Sequence, residues 1–93
     1  MNPPVLKIVS LEQTCSACPS QWDAQTSDGR YVYIRYRWGM LRVDLAPSRE
    51  AWVDERTTLC YVPHGDSMAG ELSTEEMTSL LAGLLDFSQL TKV

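Results

Sequence analysis

The sequence predicts an α+β fold, an antiparallel β-meander of four to five strands with one C-terminal helix packed on one face. Three observations carry this reading. Residues 31–37 and 40–46 alternate apolar with polar or aromatic side chains, a glycine-containing turn signal precedes each of them, and a capping box opens an apolar helical stripe near the C-terminus. Ninety-three residues, 44% hydrophobic and 22% charged, suit one domain spanning 1–93. A chain of this length buries only about 60–65% of the surface its unfolded form exposes, so one core must carry it.

After Pro3 and Pro4, residues 5–11 are rich in β-branched and aliphatic types and predict a first strand. The segment Cys15-Ser16-Ala17-Cys18-Pro19-Ser20 then reads as a tight polar connection. In the middle of the chain, Val32, Ile34 and Tyr36 take one face while Tyr31, Tyr33, Arg35 and Arg37 take the other. A two-residue turn at Trp38-Gly39 pairs Tyr36 with Leu41, Ile34 with Val43 and Val32 with Leu45, placing every apolar pair on one side. Trp is a poor residue for positive φ, so the turn type stays open. For the preceding hairpin, a two-residue Asp28-Gly29 loop would bury Gln25 and Asp23 beside Val32 and Ile34. A three-residue Ser27-Asp28-Gly29 loop instead pairs Ala24 with Val32 and Trp22 with Ile34, with Gly29 in the left-handed position.

Residues 48–55 predict a short helix capped by Ser48, and 57–62 a further strand ended by Pro63. His64-Gly65-Asp66 reads as a turn. Ser73 as N-cap, Glu76 at the third helical position and a Leu72–Met77 staple then open a helix expected over 74–87, with Met77, Leu80, Leu81 and Leu84 facing the core.

Composition excludes several function classes. The net charge is −4. Residues 1–44 balance Lys7, Arg30, Arg35, Arg37 and Arg42 against Glu12, Asp23, Asp28 and Asp44, for +1. Residues 45–93 set Arg49, Arg56 and Lys92 against eight carboxylates, for −5. General polyanion binders show a dominant basic field, which is absent here. No apolar run reaches the roughly 20 residues of a membrane span, and no secretory signal is recognisable at the N-terminus, so a cytoplasmic protein without a membrane partner is expected. No nucleophile elbow, phosphate-binding loop or paired-carboxylate motif occurs, and an enzyme is not expected. His64-Gly65-Asp66-Ser67 holds three triad residue types, but neighbours on a turn cannot relay a proton in line.

The segments Cys15-Ser16-Ala17-Cys18-Pro19-Ser20-Gln21-Trp22, Asp28-Gly29-Arg30 and Tyr33-Ile34-Arg35-Tyr36-Arg37-Trp38-Gly39, with Leu72-Ser73-Thr74-Glu75-Glu76-Met77, resemble a family of small proteins of bacteria, especially actinobacteria, and of their phages. The resemblance covers about half the chain and carries no known activity. It implies a phage or mobile-element context, in which small proteins bind and disable or redirect a host protein.

Two constellations stand out. Cys15-x2-Cys18 and Cys60-x3-His64 together supply a complete Cys3His set for a structural zinc, using every Cys and His in the chain. The plainer reading is that Cys60 packs in a strand, His64 lies in a solvated turn, and three cysteines are reduced thiols. Redox use of Cys15-x-x-Cys18 lacks the βαβ setting such motifs occupy. The second constellation is the sheet face away from the helix, where Tyr31, Tyr33, Arg35, Arg37 and Arg42 line up with Trp38 at the hairpin tip. Such residues suit a protein interface, or nucleic acid bound by stacking and phosphate pairing. The plainer reading is a solvated face neutralised by Asp23 or Asp44. The expected function is a small non-enzymatic protein that binds a host macromolecule. The alternative is a zinc-stabilised nucleic-acid module on the same face. The sequence leaves the oligomeric state open.

Overall fold

A computed structural model describes residues 6–17, 19–66, 68–88 and 90. The strands are β1 (Leu6–Ser16), β2 (Ser20–Thr26), β3 (Tyr31–Arg37), β4 (Met40–Ala46), β5 (Thr57–Pro63) and β6 (Leu85–Asp86), with helices α1 (Trp52–Glu55) and α2 (Thr74–Leu80). They form one sheet in the order β5-β4-β3-β2-β1-β6. The predicted antiparallel meander is present as β1 to β5. Two features correct the one-helix meander: β6 adds a sixth strand parallel to β1, and the short helix read over 48–55 is present as α1, making two helices among the described residues.

Both central registers are those the alternation requires. β3 and β4 pair Tyr36 with Leu41, Ile34 with Val43 and Val32 with Leu45, while β2 and β3 pair Trp22 with Ile34 and Ala24 with Val32. Gly29 has φ +87° and donates its N–H to the Thr26 carbonyl, as the bulged three-residue loop demands. At the other turn Trp38 and Gly39 have φ of 57° and 67°, which identifies a type I′ turn.

The apolar face of these strands forms the core. Ile8, Trp22, Val32, Ile34, Tyr36, Leu41 and Val43 pack against Leu72, Met77, Leu81 and Leu85. Chain segment 64–73 is stitched across the sheet end by Gly39 N–H to Ala69 O (2.8 Å) and by Leu72 N–H to the buried Ser20 Oγ (3.0 Å). Trp22 Nε1 donates to Thr74 Oγ1 at 3.0 Å, which locks the start of α2 over the core.

Three element boundaries differ from expectation. β1 runs on through Cys15, because pairing with β2 recruits polar residues past two register shifts. α1 starts at Trp52 and is only four residues long; Ser48 Oγ accepts from Ala51 N–H one turn earlier. α2 starts at the predicted cap, where Ser73 accepts from Glu76 N–H, but stops at Leu80 instead of continuing to 87. The Leu84 and Leu85 amides both turn back to Leu81 O, and this releases Leu85 to pair with β1 and bury its side chain. Gly83, a poor helix former, sits inside that exit.

Candidate functional site

Cross-strand pairing puts the predicted face together. Asp23 stands opposite Tyr33, Gln21 opposite Arg35, Arg35 opposite Arg42, and Tyr33 opposite Asp44. All lie on the side away from the core, and the face divides into two halves.

The half around Tyr31 and Tyr33 is covered by the connection 47–56. Trp52 meets the Tyr33 ring edge-on at 5.0 Å, and the Arg56 guanidinium lies 4.6 Å from the centre of the Trp52 ring. Tyr31 donates its hydroxyl to Asp23 Oδ1 at 2.7 Å, and Arg49 Nη2 reaches Asp23 Oδ2 at 3.3 Å. Burial, with the Asp23 bond adding to it, pushes the Tyr31 hydroxyl far above the usual tyrosine range, and burial pushes Tyr33 up as well. Both phenols are therefore neutral donors. Tyr31 retains 7% exposure, so its ring offers no contact surface.

Asp44 sits at the boundary between the halves with no exposed side-chain surface. Thr58 Oγ1 donates to its Oδ1 at 2.8 Å, and Arg42 Nε lies 3.3 Å from its Oδ2. That second pair is close enough to attract but out of line for a hydrogen bond, so both atoms stay without a hydrogen-bond partner.

The other half is open. Arg35, Arg37, Trp38, Met40, Arg42 and Tyr61 line a cleft of about 310 Å³. Trp38 is 58% exposed, Tyr61 59% and Met40 37%. The Arg37 guanidinium lies 4.9 Å from the centre of the Trp38 ring. Among the described residues Arg35 and Arg37 form no ion pair, and the buried Arg35 Nε has no hydrogen-bond partner. Among the described residues no carboxylate lines this cleft. Of the six predicted surface residues, Arg35, Arg37, Trp38 and Arg42 thus meet in the open cleft, while Tyr31 and Tyr33 belong to the covered half. Met40 and Tyr61 complete the cleft and were not anticipated. Tyr61 stands opposite Arg42, a register set by β4–β5 pairing across a bulge and not by a short turn.

The described members of the proposed zinc set do not converge. Cys15 lies in β1 and bonds weakly to Ala17 O, whereas Cys60 lies in β5, four strands away, half-buried against the core. Burial pushes the Cys60 thiol up. His64 Nε2 lies 3.5 Å from Glu76 Oε2, and the His64 carbonyl accepts from the Tyr36 hydroxyl. Among the described residues no three His, Cys, Asp or Glu side chains converge to hold a metal ion; Cys18 lies outside those residues. Among the described residues no helix is long and apolar enough to cross a membrane.

At the β2–β3 loop, Arg30 and Thr26 hydrogen-bond the exposed Asp28 carboxylate and hold its pKa down at about 2. This cluster is explained by the loop alone. Compared with protein-family models, curated proteins and solved structures, the chain matches none of them.

Proposed function

We propose that this protein acts by binding a host macromolecule, in a phage or mobile-element setting, and not by catalysis. The open cleft is its contact surface and a protein its partner. Trp38 is the observation that carries this reading. A type I′ turn is best served by Asn-Gly, and a left-handed backbone costs an ordinary residue about 1–2 kcal/mol. Here the position is held by a large indole that projects into solvent at φ 57° beside three arginines. Strain of this kind, with no burial to offset it, is characteristic of contact residues. Trp, Tyr and Arg are also the types that dominate interface energetics.

The test is capture of a partner from host extract by the wild-type chain and by two variants. Arg35→Ala with Arg37→Ala should lose the partner, whereas Arg49→Ala, on the covered half, should retain it. Equal capture by all three would place the contact surface elsewhere.

Trp38 and Tyr61 flanking three guanidiniums also favour a second reading, single-stranded nucleic acid, whose binding would weaken steeply as salt rises. The zinc clip attached to that reading requires Cys15, Cys18, Cys60 and His64 to converge. A native mass raised by one zinc ion in the wild-type chain but not in Cys60→Ser would support it.

A further inference from the structure

β5 ends the sheet, and its outer side has no strand partner among the described residues. Natural edge strands are usually blunted by charge, by proline or by bulges. The opposite side of the sheet is treated that way: β1 carries Lys7 and Glu12, contains two register shifts and is partly covered by β6. β5 reads Thr-Thr-Leu-Cys-Tyr-Val-Pro, without one charged residue. Its single register shift lies beside Thr58, and its proline is the last residue. Between them Cys60, Tyr61 and Val62 pair regularly with β4, leaving a short uncharged edge of strong strand formers.

That edge borders the arginine cleft. Tyr61 stands on β5 itself, next to Arg42, with Arg35 one strand further in. A strand added outside β5 would lie about 4.8 Å beyond Tyr61 and about 10 Å from the strand of Arg42. That separation is within the combined reach of a glutamate and an arginine side chain. Three guanidiniums face one buried carboxylate, Asp44, so the cleft calls for negative charge from outside.

We infer that an extended acidic segment of the partner protein docks on β5 as a further strand. Its backbone bonds the free edge, and alternate Glu or Asp side chains meet Arg42, Arg37 and Arg35. Two other occupants fit less well. A second copy pairing β5 to β5 about a two-fold axis would place both arginine clusters on the same side of one sheet. Nucleic acid would use the arginines and rings but leave the backbone edge unused. The inference rests on the open cleft being the contact surface.

The experiment is an amide and arginine-Nε NMR titration of the isotopically labelled full chain. The probes are a capped decapeptide alternating Glu and Val, its Lys-Val counterpart, the Glu-Val peptide N-methylated at alternate residues, and single-stranded dT10. The Glu-Val peptide should shift the Leu59 and Tyr61 amides together with the Arg35 and Arg42 Nε signals. N-methylation should weaken binding about tenfold or more, and the Lys-Val peptide should not bind. Arginine shifts without β5 amide shifts, or equal binding of the N-methylated peptide, would overturn strand addition while leaving the cleft as a binding surface. Binding of dT10 alone would overturn it in favour of nucleic acid. Concentration-dependent β5 shifts without any probe would overturn it in favour of self-pairing. If no probe moved any cleft signal, the reading of the cleft would fail with it.

Discussion

On the sheet face away from the core, the half around Tyr31 and Tyr33 and the half around Trp38 are built from the same materials. Each combines aromatic rings with guanidiniums on neighbouring strands. In the first half the side chains pair within the chain: Tyr31 with Asp23, Asp23 with Arg49, Tyr33 with Trp52 and Trp52 with Arg56. Of its buried side-chain polar atoms among the described residues, only Trp52 Nε1 lacks a hydrogen-bond partner. In the second half Arg35 and Arg37 have no carboxylate partner among the described residues, and Trp38, Met40 and Tyr61 remain exposed. Aromatic and arginine content does not therefore mark a contact surface by itself. What separates the halves is whether the chain supplies its own cover, and residues 47–56 reach only one of them.

The contrast predicts that substitutions in the covered half cost stability, whereas those in the open half do not. The largest effect should come at the boundary of the covered half, from Asp44→Ala, which removes the Thr58 hydrogen bond and leaves Arg42 without its counter-charge. A loss of about 2–3 kcal/mol is expected in urea unfolding, because hydrogen bonds to charged groups contribute about 1.5–3 kcal/mol. Tyr31→Phe keeps the ring and deletes one 2.7 Å bond to Asp23, for a loss of about 1–2 kcal/mol by the same measurement. At the small end, Arg35→Ala removes a guanidinium with no ion pair and an unpartnered Nε, and should change stability by less than about 0.5 kcal/mol. A loss above about 1.5 kcal/mol there would break the comparison, since Arg35 would then be part of the scaffold.

Much of the frame was legible because local signals over-determine it. Period-two alternation in β3 and β4, combined with turns of two and three residues, admits only one register with all apolar pairs on one side. Ser73, Glu76 and the Leu72–Met77 pair likewise located the start of α2. Its end was not legible: the apolar stripe continues through Leu84, but Leu85 gains more by entering the core beside β1 than by extending a helix past Gly83. The site was half legible. Alternation assigns residues to a face, yet nothing periodic shows where a connection such as 47–56 will land, and Trp52 is a lone aromatic in it. Tyr61 was missed because a long connection, unlike a tight turn, does not fix the register of the strand that follows. The cysteines show the limit of spacing: among the described residues Cys15 and Cys60 lie four strands apart, an arrangement that sequence separation does not reveal.

The central claim is that the open half keeps a contact residue at the expense of stability, and it is tested most directly by urea unfolding of Trp38→Asn. Asparagine tolerates the left-handed backbone, relieving about 1–2 kcal/mol of strain. The exposed Arg37–Trp38 contact that is lost contributes about 0.5–1 kcal/mol. The account predicts a variant more stable than the wild type, by up to about 1.5 kcal/mol. A variant less stable than the wild type would mean that Trp38 holds the hairpin together, and would contradict the claim.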